Sequence, residues 1–221
     1  TAFGVPCISG KDSMKNDYQI GKTKISIPPT ILYSVIGPIK DVRKAVTMDA
    51  KKPGDLVYII GETRDEMGGS EWFASKNFTG NNVPKVHAGK AIKIYRAIHR
   101  AIQAGLIASC HDCSDGGLGV ALAETATAGL LGMEVDLRHV PYKGKRRNDY
   151  MLFSETASRF VVTIHPADQS RFEKVMAGNI VGLIGTVTND QVLNVKGLEG
   201  KTIIREKINA LKNAWQKTLN F

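Results

Sequence analysis

Apolar residues along the chain recur with two periods, one typical of β-strands and the other of α-helices. The run LVYII at 56–60 is apolar throughout and has the length of a buried strand. Further strands are predicted at 106–108, 133–137, 159–164 and 180–187. Segments with helical periodicity separate these runs, so the two kinds of element alternate along the chain.

The clearest helical pattern lies at 92–102, where apolar and basic residues occupy different stripes and Gly105 follows as a stop signal. Two more helices are predicted at 118–128 and 167–176. Apolar positions at 204–219 share one face, which predicts an amphipathic closing helix. We therefore predict an α/β (α+β) fold in which helices pack on one side of a mixed β-sheet.

The N-terminal part of the chain is interrupted by glycine and proline, which leaves room only for short strands. One strand is predicted at 30–36, where TILYSVI is rich in residues that favour strands. A polar break at 51–54 precedes the first strongly apolar strand. We therefore predict that residues 1–50 are the tail of a preceding subdomain and that 51–221 form a second domain.

Composition places the chain among ordinary globular proteins. Of its 221 residues, 43% are hydrophobic and 23% charged, which argues against disordered, collagen-like and disulfide-framework proteins. No apolar run approaches the ~18 to 20 residues that a membrane helix needs, so no membrane partner is expected. The three cysteines form no repeating framework, which favours a reduced, cytoplasmic chain. No leader-like segment follows Thr1, which we interpret as the edge of a longer chain.

The chain is strongly basic. Lys and Arg number 30 against 21 Asp and Glu, which gives a formal net charge of +9. This charge favours acidic partners such as phosphates, nucleotides or RNA. A basic RNA-binding module is one hypothesis. However, only 7% of the residues are aromatic and the basic residues are spread over several helices, so nucleic acid is the less favoured partner.

The segment HDCSDGGL at 111–118 joins a predicted strand to a predicted helix. Asp112 and Asp115 supply the hard oxygen ligands that a divalent cation prefers, and Ser114 can donate to a phosphate. The two glycines that follow allow backbone N–H groups to approach an anion at the start of the helix. Together these residue types suit a metal–nucleotide complex.

The same segment also has a purely structural interpretation, which the residues leave open. Ser114 or Asp115 could accept hydrogen bonds from the first N–H groups of the helix, and the glycines would then only allow the turn. On this hypothesis the chain is a structural scaffold domain.

Two other polar stretches carry candidate residues. SGKDS at 9–13 looks like a phosphate loop, but its glycine spacing and the Asp that follows Lys11 do not match the P-loop pattern. It remains either a Gly-Lys corner that neutralises an anion or an ordinary polar turn. In FSETASR at 153–159, Glu155 could hold a cation, and Arg159 could pair with Glu155 or with a phosphate.

Two patterns predict structural roles. Cys110 and Cys113 form a C-x-x-C pair, but a structural zinc site usually needs four ligands and Cys7 has no neighbouring ligand to complete one. We therefore expect buried thiols rather than a zinc or redox site. Ser70 follows two glycines and is expected to cap a helix.

Four segments occur in one order along the chain, and together they carry a family resemblance. They are GVPCISGKDSMKND at 4–17, DEMGGSEW at 65–72, HDCSDGGLGVALAE at 111–124 and LFSETASRF at 152–160. The order resembles the phosphoribosylformylglycinamidine synthase family, specifically its second ATP-binding half, in the superfamily of aminoimidazole ribonucleotide synthetase and selenophosphate synthetase. The resemblance covers essentially the whole chain. It implies a fold like the C-terminal domain of aminoimidazole ribonucleotide synthetase, preceded by the tail of an ATP-binding subdomain.

The resemblance also implies an activity. Members are ATP- and glutamine-dependent carbon–nitrogen ligases (amidotransferases) of de novo purine biosynthesis. ATP phosphorylates the amide oxygen of formylglycinamide ribonucleotide, and ammonia from glutamine then displaces phosphate to give the amidine. The implied cofactors are ATP or ADP and Mg²⁺, and the implied partners are the ribonucleotide and a glutaminase domain or subunit. The second half holds either an active or an auxiliary nucleotide site.

The resemblance implies roles for individual residues. Gly10 falls where the family contacts ATP, Lys11 where some members place a magnesium-binding Asn, and Ser13 where members contact the ribonucleotide. Asp112 matches a magnesium ligand of the family and Ser114 a nucleotide contact. Because a protonated lysine cannot ligate magnesium, we expect Lys11 to contact a phosphate instead.

Asp115 and Glu155 are added as metal ligands from their chemistry and position alone. No catalytic residue is assigned. The chain carries no candidate for the family's glutaminase Cys-His machinery, so we expect it to be inactive by itself.

Overall fold

The computed structural model describes residues 1–10, 17–26 and 31–217. The chain divides into two units, Thr1–Val42 and Arg43–Phe221. In the first unit, strands β1 (Asp17–Ile20) and β2 (Thr23–Ser26) form an antiparallel hairpin. The turn between them uses Gly21 at φ +56°, a left-handed conformation that glycine adopts without strain.

The strand predicted at 30–36 is wrong for the described residues 31–36, which have no regular secondary structure. Their apolar side chains are exposed, with Leu32 at 87% and Ile36 at 94%. A strand needs the N–H and C=O groups of a neighbour. In the described part of the first unit no strand pairs with this run, so its composition alone does not make it a strand.

The second unit is built on a seven-stranded sheet with a separate two-stranded pair. The strands of the large sheet are β3 (Leu56–Ile60), β5 (Ser109–Asp112), β6 (Gly132–Asp136), β8 (Phe160–Ile164), β9 (Val181–Thr188), β10 (Val192–Lys196) and β11 (Thr202–Lys207). The small pair is β4 (Thr63–Arg64) with β7 (Tyr142–Lys143). The order across the large sheet is β11-β10-β6-β9-β3-β8-β5. Because β10 and β6 run parallel while the other neighbours run antiparallel, the sheet is mixed, as predicted.

Helices cover both faces of this sheet. They are α1 (Glu71–Ala74), α2 (Ala88–Gln103), α3 (Gly117–Gly129), α4 (Asn148–Phe153), α5 (Gln169–Met176) and α6 (Ile208–Gln216). Single 3-10 turns lie at Val42–Lys44, Leu137–His139 and Pro166–Asp168. In the interior strand β3, Val57 and Ile59 pack in one apolar cluster with residues of α3, whereas Tyr58 and Ile60 pack in a second cluster with residues of α2 and α5.

The prediction that the helices pack on one side of the sheet is therefore wrong. Successive side chains of a strand point to opposite faces, and every residue of Leu56–Ile60 is apolar, so both faces need a cover. A strand with one wet face would alternate apolar and polar residues instead. The uninterrupted apolar run was the signal for a two-sided sheet.

Most of the other predicted elements match the structure within a few residues, but two more do not. The strand predicted at 106–108 begins instead at Ser109, as β5. Leu106 and Ile107 lie before this strand and are buried. The closing helix begins at Ile208, whereas Ile204 lies in β11, which pairs antiparallel with β10. Short apolar runs are compatible with either period, and pairing with a neighbouring strand decided these cases. Among the described residues, no helix combines the length and apolarity needed to cross a membrane.

Candidate functional site

The corner between β5 and α3 is tightly built. Gly116 and Gly117 have φ values of +76° and +64°, which residues with a Cβ rarely adopt. A Cβ on Gly117 would lie 2.3 Å from the carbonyl oxygen of Ser154. The helix therefore starts in direct contact with the segment that follows α4, and only glycine fits at this point.

The side chains of Asp112 and Ser114 lie exposed at the corner. Ser114 Oγ donates a short hydrogen bond to Asp112 Oδ2. The N-cap residue of α3 is Gly116, and no side chain at that position caps the helix. The structural hypothesis, in which Ser114 or Asp115 caps the helix from within the corner, is therefore wrong. Ser114 instead orients the carboxylate of Asp112.

Glu155 reaches the corner from a distant part of the chain. Its Oε1 accepts hydrogen bonds from the backbone N–H of Gly116 at 2.8 Å and from that of Glu71 at 2.9 Å. The carboxylate thus serves the starts of two helices, α3 and α1, where negative charge is favourable. At the same end of α1, Ser70 Oγ accepts from Phe73 N, which confirms Ser70 as a helix cap.

Arg159 fixes the segment that carries Glu155. The residue is 1% exposed, and its guanidinium donates to the carbonyl oxygens of Ser154 and Thr156 and to Thr63 Oγ1. Burial lowers the pKa of the guanidinium from its ordinary value. The prediction that Arg159 pairs with Glu155 or with a phosphate is wrong, because its hydrogen bonds go to these three buried oxygens.

These parts surround one cleft of about 420 Å³. Asp112, Ser114, Asp115 and Glu155 all line it, so residues that are some forty positions apart in the sequence meet at one surface. Tyr95 also lines the cleft, and its hydroxyl lies 2.9 Å from Ser158 Oγ. Sequence reasoning missed Tyr95, because only the packing of α2 against this end of the sheet brings it here.

The donor set fits a magnesium ion that is bound together with a phosphate. In the described ranges 1–10, 17–26 and 31–217, no three carboxylate, histidine or cysteine side chains are grouped closely enough to enclose a metal. Mg²⁺, however, commonly takes one or two carboxylates and fills its remaining positions with phosphate and water. The exposed carboxylate of Asp112 suits that mode, whereas Glu155 already uses one oxygen for two backbone amides.

His111 contributes a further contact that sequence reasoning missed. Its Nε2 lies 2.6 Å from Oε2 of Glu124, and its Nδ1 lies 3.6 Å from Oδ1 of Asp112. Glu124 lies on α3 and ends the segment 111–124 that carries the resemblance. The pair ties the edge strand β5 to the helix beside the exposed carboxylate.

The remaining predicted residues lie elsewhere. Gly10 is exposed in the first unit. Lys11 and Ser13 lie outside the described residues. Cys110 and Cys113 are free thiols, and burial raises their pKa values to about 12 and about 11. Cys113 is buried as expected, whereas Cys110 is only partly buried.

The fold described above has counterparts among known proteins. Residues 52–197 match the family described as AIR synthase related protein, C-terminal domain. The chain belongs to this family. Over 220 residues the chain is 35% identical to phosphoribosylformylglycinamidine synthase subunit PurL of Limosilactobacillus reuteri. That alignment covers 98% of this chain but 28% of the relative, so the chain spans just over a quarter of the relative's length.

Solved structures of PurL share the fold of this chain. PurL of Thermotoga maritima complexed with FGAR superimposes with a TM-score of 0.68 at 21% identity, over 77% of this chain and 30% of that one. The same protein complexed with ATP gives a TM-score of 0.63 at 21% identity, over 77% and 27%. The prediction of a fold like that of the aminoimidazole ribonucleotide synthetase C-terminal domain is confirmed.

Proposed function

We propose that this chain is part of a phosphoribosylformylglycinamidine synthase and that its β5–α3 corner binds ATP or ADP with Mg²⁺. The relatives are named as subunits of this synthase, and the solved structures include complexes with ATP and with FGAR. These names support the ligase hypothesis and give no support to an RNA-binding module or a scaffold domain. In the proposed protein, ATP activates the amide of formylglycinamide ribonucleotide, and ammonia from a glutaminase domain or subunit completes the amidine.

The observation that carries the proposal is the cleft lined by carboxylates and a hydroxyl directly before the glycine-rich start of α3. Asp112 is proposed to bind the metal, with Asp115 beside it, and Ser114 to contact the nucleotide. The metal supplies positive charge that stabilises the transferred phosphoryl group. Glu155 is proposed as a further metal ligand through Oε2, because both backbone hydrogen bonds go to Oε1. Each of these roles uses a side chain that lines the cleft.

The N-terminal residues complete the proposal. Gly10 and Lys11 are proposed to contact the nucleotide and Ser13 the ribonucleotide, in a subdomain of which residues 1–50 are the tail. We also propose a cytoplasmic location and an inactive isolated chain. The resemblance allows two kinds of site, an active one that consumes the nucleotide and an auxiliary one that only holds it.

Calorimetric titration of the chain with ADP tests the metal role of Asp112. With Mg²⁺ present, Asp112→Asn should weaken ADP binding by about tenfold or more, ~1.4 kcal/mol, because the amide cannot replace the charge of the carboxylate. With EDTA in place of Mg²⁺, the variant and the parent should bind ADP equally.

The matched control is Asp168→Asn, which removes an exposed carboxylate that pairs with Arg171 far along the chain from the corner. It should leave the affinity unchanged. Equal affinities of the Asp112 variant and the parent in Mg²⁺ would remove the metal role from this residue.

A further inference from the structure

A second cavity, of about 270 Å³, lies beside the cleft. It is formed at Gly61, directly after β3, at the start of α2 after His87, and at the segment 178–180 before β9. Ala157 and Ser158 line both cavities, so one short segment of chain separates them. The nucleotide proposal does not use this second cavity.

The charged lining of this cavity is mostly positive. Arg64, Lys85, Lys90 and Lys93 face a single carboxylate, that of Glu62. Arg64 is engaged by that carboxylate, with a nitrogen–oxygen distance of 3.0 Å. Among the described residues, the three lysines form no ion pair with a carboxylate. Three ammonium groups thus converge on a concave surface without a counterion from the protein, which raises the local concentration of anions.

His87 adds a hydrogen-bond donor. Nη1 of Arg64 lies 2.8 Å from Nε2 of His87. Because a guanidinium can only donate, Nε2 accepts, and the proton of the neutral ring lies on Nδ1. The side chain of His87 does not cap α2, and the first turn of that helix carries no acidic residue. Nothing in the first turn of α2 therefore offsets the positive lining.

We propose that this cavity binds a phosphate group. Lys90, Lys93 and Lys85 supply the charge, and Ser158 and His87 offer neutral donors. The phosphate has two possible sources, a separate phosphorylated small molecule or the polyphosphate end of a nucleotide that is bound in the adjoining cleft. Both sources present the same chemistry to the lysines. The proposal does not rest on the proposed enzyme activity.

Titration of the ¹⁵N-labelled chain with inorganic phosphate, followed by amide NMR shifts, tests the proposal. We expect saturable shifts at Gly61, Lys90 and Ser158, with half-saturation at about 1 to 10 mM at low salt. The double variant Lys90→Ala/Lys93→Ala should weaken phosphate binding by about tenfold. Lys201→Ala, which removes a lysine whose side chain is 83% exposed on another part of the surface, should change it by less than about twofold.

Lys90 and Lys93 are both exposed, so we expect the double variant to unfold at the same temperature as the parent. A thermal unfolding curve of each variant confirms that a change in phosphate binding is not a loss of folding. Absence of saturable shifts in the parent would overturn the proposal. An equal response of the double variant and the parent would also overturn it.

Titration with ADP and Mg²⁺ then distinguishes the two sources. If the double variant also weakens ADP binding, the phosphate belongs to the nucleotide. If ADP binding is unchanged, and Asp112→Asn leaves phosphate binding unchanged, the cavity takes a separate phosphorylated molecule. If only the nucleotide proposal is wrong, Asp112→Asn leaves ADP binding unchanged, while the double variant still binds phosphate more weakly than the parent. The two proposals are therefore tested separately.

Discussion

Replacing Arg159 by Met should loosen the segment that presents Glu155. Methionine keeps an unbranched side chain of similar length but removes the guanidinium, which donates to Ser154, Thr156 and Thr63. These three residues are 0%, 4% and 0% exposed, so water cannot readily replace the lost donors. The segment 154–158 and Thr63 would therefore carry buried acceptors without partners.

The size of the effect follows from these contacts. Each buried acceptor left without a donor costs about 1 to 3 kcal/mol, so the loss of three donors costs at least about 3 kcal/mol. Release of the buried charge from its desolvation penalty opposes part of this loss, because burial lowers the pKa of Arg159. We expect a net loss of about 2 to 3 kcal/mol in the free energy of unfolding. For a chain of this size that corresponds to roughly 4 to 12 °C in Tm.

Urea unfolding and thermal unfolding measure the change directly. The control is Arg138→Met, which removes an exposed guanidinium that pairs with Asp136 on the surface and should leave Tm within the scatter of replicates. Arg159→Lys should fall between the parent and Arg159→Met, because one ammonium cannot span three acceptors. If Arg159→Met unfolds together with the parent, the buried guanidinium does not hold this segment and the reasoning is refuted.

Two further predictions concern the corner and its thiols. Gly117→Ala should destabilise the chain by about 3 kcal/mol, because its Cβ would meet a backbone oxygen at 2.3 Å and its φ is +64°. In contrast Gly89→Ala, in α2 with open space around it, should stabilise by about 0.5 to 1 kcal/mol, and chemical unfolding compares the two. Iodoacetamide at pH 8 should label exposed Cys7 in the folded chain but not Cys110 or Cys113, whose pKa values are raised by burial; mass spectrometry that finds three labels before unfolding would contradict this.

Strands of the sheet could be predicted where the sequence pattern fits only one kind of element. LVYII at 56–60 has no polar position, so strand length and burial both followed from the sequence. The same absence of polar positions indicates a strand that is covered on both faces, which is incompatible with helices on one side only. At 202–207 the residues TIIREK fit a strand or the start of an amphipathic helix, and only pairing with β10 selects the strand.

The candidate site could be predicted only in part. Asp112, Ser114 and the glycines are neighbours in sequence, so their joint placement at one corner followed from a strand-to-helix turn. The hydrogen bonds of Glu155 to Gly116 and Glu71 depend on the path of the chain between α4 and β8, which no local pattern specifies. The burial of Arg159 among three neutral oxygen atoms could not be predicted either, because an arginine in a polar stretch usually lies at the surface.

The most direct test of the central claim is a crystal structure of the protein that contains this chain, grown with ADP and Mg²⁺. The account predicts density for the ion next to a carboxylate oxygen of Asp112, with a phosphate oxygen of the nucleotide within hydrogen-bond distance of Ser114 Oγ. A nucleotide bound away from the β5–α3 corner, with Asp112 left in solvent, would contradict the account.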